Sequence, residues 1–340
     1  MRNKMLFLTM TALVAGCDLG LDPDSLVRDL RVLAVRTGAA DPASVADLDP
    51  KNPTLRLEAL VAEPSGAGRK VAAPRSLTHD WYFCVPGKSA LDLGSVDPAC
   101  VTFGGSAPDP KQNPALVYLG SGSPTTLNLA TLQSLVQSKL GSLIDATMTG
   151  TGTLPAALQL QLPVILRATA TPMTADRRDA ETAVAFVRIV IPLRPADPTP
   201  EGAQNLNPVL QPLVMADDDQ GKNAVTLTPC QPPQPCQRVG IKRKQSVYFK
   251  GTAADGSVQN YLPLDQSGRG VIPEVLRYSW FTSDGKFSEV RTGDARPWTK
   301  WQADESYQPP PESKVLSLWV VLQDGRNGTD RAYYEFDYTD

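Results

Sequence analysis

VLSLWVVLQDGRNGTDRAYYEFDY, residues 315–338, decides the fold class. Val315 to Gln323 is a run of apolar, β-branched and aromatic residues with the composition of a strand. Asp324-Gly325 and Asn327-Gly328 follow at once, and such dipeptides supply the positive φ angles that tight turns demand. Arg331 to Tyr338 then reads as the returning strand.

Working outward from this pair, Val275 to Thr282 and Ser246 to Gly251 read as further strands, with Asp284-Gly285 as another turn. They make one unit, residues 213–340. Residues 196–212 are rich in proline, asparagine and acids and read as a linker. A first unit, residues 27–195, precedes it. Leu30 to Arg36 is its first strand. In Thr54 to Val61 the apolar Leu55, Leu57, Ala59 and Val61 alternate with Arg56 and Glu58, the period of a half-buried strand. His79 to Cys84 is a third strand, and Leu162 to Thr171 with Ala183 to Leu193 reads as a closing hairpin. Leu129, Leu132, Val136, Leu140 and Leu143 recur at helical spacing after Asn128, a residue suited to capping, which predicts one amphipathic helix over 129–145. Thirty-one prolines and 25 glycines suit short strands and turns more than helices. The expected fold is mainly β, in two tandem units of one plan: an alternating strand, a tryptophan strand (Trp81, Trp280) and a late strand pair. The first unit carries an insertion, 85–150, holding a disulfide loop and the helix.

Tyr278-Ser279-Trp280-Phe281, the 318–328 stretch and Tyr333 to Tyr338 together resemble immunoglobulin-like β-sandwiches of the bacterial PKD kind. The first unit resembles them through Trp81 and its closing hairpin. The resemblance implies two β-sandwiches in tandem, each with a tryptophan packed between its sheets.

The N-terminus gives the address. Arg2 and Lys4 precede the uncharged, mostly apolar Met5 to Ala15, and Val14-Ala15-Gly16-Cys17 follows. These are the parts of a secretory signal peptide. The last four residues resemble the lipobox of bacterial lipoproteins. That resemblance implies removal of residues 1–16, acylation of Cys17, and attachment to a membrane of the bacterial envelope. Asp18 resembles an inner-membrane retention signal of some enteric bacteria, a rule that varies between lineages; the expectation adopted is the outer membrane. Residues 17–26 form a short tether, which keeps the first folded unit close to the bilayer. The whole layout is similar to lipoproteins of Gram-negative bacteria that carry an Arg-Val-Leu-Ala-Val type strand soon after the lipobox.

With Cys17 assigned to lipid, Cys84, Cys100, Cys230 and Cys236 remain. An even number in an exported chain reads as disulfides. Three connectivities are open, and the local one, Cys84–Cys100 with Cys230–Cys236, is the most economical. Zinc at Cys230 and Cys236 fails on ligand number, because the chain has one histidine. A formal net charge of −3 with mixed signs gives no electrostatic footprint for nucleic acid.

Catalytic motifs are scarce. His79 is the single histidine, so any Ser-His-Asp triad must use it. Ser283-Asp284-Gly285-Lys286 matches Ser-x-x-Lys but falls in an expected hairpin turn, where that chemistry needs a helix start. Gly66 to Lys70 lacks the spacing of a phosphate loop. Asp217, Asp219 and Asn223 alternate like the opening of a calcium loop, but Thr228 stands where its glutamate belongs. Trp298, Trp301 and Tyr307 are candidate contacts for a partner or a sugar. No motif requires a cofactor. The expected function is a non-enzymatic interaction or structural module whose partners are the membrane, through its lipid, and envelope proteins. The alternatives are a carbohydrate- or peptidoglycan-binding lipoprotein and a hydrolase with an unfamiliar site.

Overall fold

A computed structural model describes residues 25–27, 29–39, 54–63, 75–84, 100, 116–128, 159–172, 180–192, 205–231, 234–242, 245–261, 270–303 and 315–339. Its elements are strands. The first unit holds β1 (Arg31–Ala39), β2 (Thr54–Ala62), β3 (Leu77–Cys84), β4 (Leu116–Ser121), β5 (Thr125–Asn128), β6 (Gln159–Ala170) and β7 (Glu181–Pro192). They form two antiparallel sheets, β1-β2-β5 and β4-β3-β6-β7. The alternation read in β2 works as expected: Leu55 and Leu57 are buried while Arg56 and Glu58 turn the other way. They meet Trp81 and Phe83 of β3 and Val164 and Leu166 of β6, so one core joins both sheets. Each such fully buried apolar side chain contributes about 1.5–3 kcal/mol.

The second unit holds β8 (Val214–Ala216), β9 (Val225–Thr226), β10 (Val239–Lys242), β11 (Ser246–Lys250), β12 (Asn260–Tyr261), β13 (Ile272–Pro273), β14 (Arg277–Thr282), β15 (Lys286–Phe287), β16 (Arg291–Gly293), β17 (Trp298–Gln302), β18 (Val315–Gln323) and β19 (Thr329–Thr339). Its sheets run β10-β19-β18-β14-β16 and β15-β17-β11-β8-β9, with β12-β13 as a small separate pair. β10 lies parallel to β19. Between the two large sheets lies an aromatic core, where Phe249 contacts Trp280, Phe287 and Phe336 at centroid distances of 6.5, 6.5 and 5.6 Å.

The two units repeat one pairing plan. Trp81 on β3 stands opposite Leu166 on β6, and Trp280 on β14 stands opposite Val320 on β18. β6 continues into the β6-β7 hairpin and β18 into β18-β19. Each indole N–H finds an acceptor on the side away from that hairpin. Trp81 donates to the Gly122 carbonyl (2.8 Å), just past β4, and Trp280 to Thr292 Oγ1 (2.9 Å) on β16.

Two expectations need revision, and a third falls outside the described residues. The amphipathic helix over 129–145 lies outside the described residues, whose elements are all strands, and Asn128, read as its cap, is the last residue of β5 opposite Thr54. Part of the 85–150 segment belongs to the sheets, since β4 pairs with β3 and β5 with β2. The C-terminal half of the 196–212 linker is bonded into the second unit. Leu210 N donates to Asp330 Oδ2 (2.7 Å), Gln211 N to the Thr252 carbonyl (2.9 Å), and Val209 N to Ser257 Oγ (3.1 Å).

Candidate functional site

The candidate site is the junction where the outer face of one sheet meets the outer face of another. It starts from β18. A strand with one wet face alternates, but VLSLWVVLQ is buried at every position from Leu316 to Leu322. Leu316, Leu318, Val320 and Leu322 enter the core of the second unit. Trp319, one residue out of phase, projects from the opposite face and is still only 4 % exposed.

What covers it comes from the first unit. Val27 and Ala62 are buried against Trp319, with Leu33, Leu60, Phe281 and Tyr333 around them. The indole stacks on Tyr333, with ring centroids 5.4 Å apart and planes 22° apart. β2 supplies Leu60 and Ala62 from the face opposite Leu55 and Leu57. β1 needs a bulge to do the same. Its register shifts between Val32 and Ala34, so Val32 and Val35 both pack on the first core although three residues apart, and Leu33 faces the junction.

Polar contacts frame this apolar centre. Arg331 on β19 pairs with Glu58 on β2 at 2.8 Å, and Arg36 on β1 approaches Asp330 at 3.7 Å. Val27 N donates to the Thr282 carbonyl and Thr282 N to the Ser25 carbonyl, each at 2.8 Å, so residues 25–27 run parallel to the end of β14. The last residues of the expected tether, Ser25 and Leu26, are therefore bonded into the second unit together with Val27. The buried Asn207 donates to the Thr37 carbonyl (3.1 Å) and accepts from Thr329 N (2.9 Å). Burial raises the Tyr333 phenol above its ordinary range, and its hydroxyl is shared with Ser317 Oγ and Glu335.

No protein-family model matches the chain, and no curated protein is significantly similar to it. The residues must speak for themselves.

A second polar cluster is built around the β18-β19 turn, next to Asn207 and Thr329. Asp324 Oδ1 accepts from Arg326 N (2.7 Å) and Gly328 N (2.9 Å), which shapes the β18-β19 turn. Gly328 has to be glycine there, because a Cβ would fall 1.9 Å from Asp324 Oδ2. The buried Glu274 pairs with Arg326 and accepts from Gln259 N (3.0 Å). Arg326 also donates to Gln259 Oε1 (3.1 Å) and lies over the Tyr261 ring. Burial raises both the Asp324 and the Glu274 carboxyls above the ordinary range, against the pull of Arg326. Every partner named here is structural, and the cluster holds a turn and a hairpin together.

The residues singled out from sequence fall as follows. Cys84 bonds to Cys100 and Cys230 to Cys236, with Cα separations of 5.9 and 4.7 Å. The first disulfide fixes Cys100 onto the outer side of β3, beside Tyr82, Leu116 and Ile165. Trp298 and Trp301 do not form an aromatic row. Three residues apart on β17, they point to opposite faces, and Trp301 is 1 % exposed in the core with its N–H on the Asp284 carbonyl. Tyr307 and Cys17 lie outside the described residues. Asp217, Asp219 and Asn223 sit in the β8-β9 hairpin, where Asn223 donates to Asp217 (2.7 Å) and Gln220 to Asp219 (3.2 Å). Among the described residues no group of three or more His, Cys, Asp or Glu side chains is placed to hold a metal. His79 is half-buried on β3, and burial lowers its pKa against the opposing effect of Asp80. Ser283 to Gly285 form the expected turn between β14 and β15. Among the described residues no helix is long and apolar enough to cross a membrane.

Sequence reasoning missed Trp319, Val27, Ala62 and Asn207 as junction residues. The signal was present for the first: a nine-residue strand without alternation needs cover on both faces.

Proposed function

We propose that the chain is a lipid-anchored lipoprotein of the bacterial envelope, attached through Cys17 to the outer membrane. Its two immunoglobulin-like β-sandwiches act together as a non-enzymatic structural or interaction module. The anchor rests on residues 2–17, a positive start, a short apolar run and Val14-Ala15-Gly16-Cys17. The sandwich reading is supported by the shared pairing plan, with a tryptophan strand beside the closing hairpin and the early strands in the facing sheet. The observation that carries the module reading is the burial of Trp319 under Val27 and Ala62. An interface that is apolar at its centre and paired at its rim holds two units in one arrangement, which suits a spacer or platform.

The test is Cys17→Ala in the native host. With labelled palmitate, the wild-type chain should take up label and sediment with outer-membrane vesicles on a density gradient. The variant should take up none and appear unprocessed or soluble. Label retained by the variant, or a wild-type chain found free in the periplasm, overturns the anchor.

A further inference from the structure

The outward side of the sheet β15-β17-β11-β8-β9 carries a different kind of surface. β11 and β17 both alternate buried and half-buried positions. Val247, Phe249, Thr299 and Trp301 turn inward, which leaves Ser246, Tyr248, Lys250, Trp298, Lys300 and Gln302 on the other face. The antiparallel register sets Tyr248 opposite Lys300 and Lys250 opposite Trp298. Two lysines and two aromatics thus form a chequerboard. Each lysine has one ring directly across, about 5 Å away at Cβ, and another two residues along its own strand. Lys250 Nζ stands 5.8 Å from the Trp298 ring centroid. Lys286 on β15, exposed and opposite Gln302, extends the positive row.

None of these outward residues carries a carboxylate. Among the described residues, the carboxylates nearest this face are those of Glu289, in the segment bonded to Thr299 of β17, and of Asp217, Asp218 and Asp219 in the hairpin whose Gly221 lies near Trp298. The hairpin aspartates accept from their own loop: Asp217 from Asn223, Asp218 from the Gln220 and Lys222 backbone, and Asp219 from Gln220.

We infer that this face binds an acidic polysaccharide, a sugar chain that carries carboxylates. Tyr and Trp rings stack on the apolar faces of sugar rings and keep a polar edge in water. Lysine ammoniums meet carboxylates as mobile point charges. Ser246 and Gln302 add hydroxyl and amide groups that donate to and accept from sugar hydroxyls. A neutral glycan leaves the lysines without a role, and a polyanion without sugar rings leaves the aromatics without one. The inference stands apart from the lipid anchor.

The test is calorimetric titration of the full-length protein in detergent with polygalacturonate, with neutral dextran and with inorganic polyphosphate. Polygalacturonate should bind and dextran should bind at least about tenfold more weakly. Lys250→Gln with Lys300→Gln should weaken polygalacturonate about tenfold or more, and Tyr248→Ser or Trp298→Ser to a similar degree. Lys250→Arg with Lys300→Arg keeps charge and fold and should retain binding, and unchanged thermal melting of each variant guards against misfolding. Absence of polygalacturonate binding overturns the inference. So does equal binding of polyphosphate with the aromatic variants unaffected, which makes the face a simple cation patch.

Discussion

Asn207 Nδ2 donates to the carbonyl of Thr37 at 3.1 Å, across the junction between the two units. The same side chain accepts the Thr329 backbone N–H, so one buried amide joins β1 to the start of β19. Asn207→Ala removes a donor and an acceptor from buried backbone groups, which costs about 1–3 kcal/mol for each group left unmatched. A loss of about 2–3 kcal/mol on chemical denaturation is expected. Asn207→Asp should be no better, because a carboxylate oxygen then faces the Thr37 carbonyl. A change within about 0.5 kcal/mol for both variants means the bridge contributes nothing.

Trp319 and Trp301 are both buried, yet they answer to different interfaces. Trp301→Ala opens the core of the second unit, and about 3–5 kcal/mol of its stability should go. Trp319→Ala removes the centre of the junction and leaves that core intact. The expected result is two separable calorimetric transitions where the wild type shows one. A single cooperative transition in Trp319→Ala sinks the idea that this contact couples the units.

Much of the fold was legible because one-sided burial writes itself as period two. Leu55 and Leu57 against Arg56 and Glu58 placed β2 correctly, and the 315–323 strand was read at its full extent. β4 and β5 were missed because Gly120, Gly122 and Pro124 break the pattern between them and the strands are short. Trp298 and Trp301 were read together as candidate contacts, but on a strand a spacing of three separates them. The junction was hidden for another reason. Arg331 and Glu58, or Asn207 and Thr37, meet through tertiary packing of distant segments, and no local pattern marks them. Proline and asparagine around 205–212 signalled a linker, but backbone N–H groups there found partners in the second unit.

Arg75 is buried between two carboxylates, 2.9 Å from Glu63 and 2.9 Å from Glu181. Glu181 also accepts from Leu30 N, just before β1 (3.1 Å). Removing the cation takes from Glu63, itself almost wholly buried, the guanidinium it pairs with. Arg75→Met should therefore cost about 3–5 kcal/mol. The triple variant Arg75→Met, Glu63→Leu, Glu181→Gln should recover most of it, since replacing a buried ionic group by apolar residues is often neutral. Failure of the triple variant to recover points to packing in place of charge.

The two disulfides close loops of different length, with sequence separations of 16 and 6. In the chain-entropy model these are worth about 3 and about 2 kcal/mol. The second loop encloses Gln231-Pro232-Pro233-Gln234-Pro235, whose stiff backbone has less entropy to lose, so its share should fall further. Cys84→Ser with Cys100→Ser should destabilise more than Cys230→Ser with Cys236→Ser in matched urea titrations. The reverse order rules out loop entropy as the dominant effect.

Asp324 and Glu274 give the second unit a pH-dependent contribution to stability. Burial raises both carboxyls in the folded chain, with Arg326 opposing. A raised acid binds its proton more tightly folded than unfolded, so unfolding releases protons between the ordinary carboxyl range and the raised values. Their contribution to stability is therefore greatest at low pH, and it is lost as pH rises through that window. Asp324→Asn keeps an Oδ1 to accept from Arg326 N and Gly328 N, while it removes the ionisable group. The variant should match or exceed wild-type stability at neutral pH, and its advantage should shrink as pH falls from the raised values to the ordinary carboxyl range. Denaturation midpoints measured from acid to neutral pH decide it: a variant advantage that grows toward acid contradicts the raised Asp324.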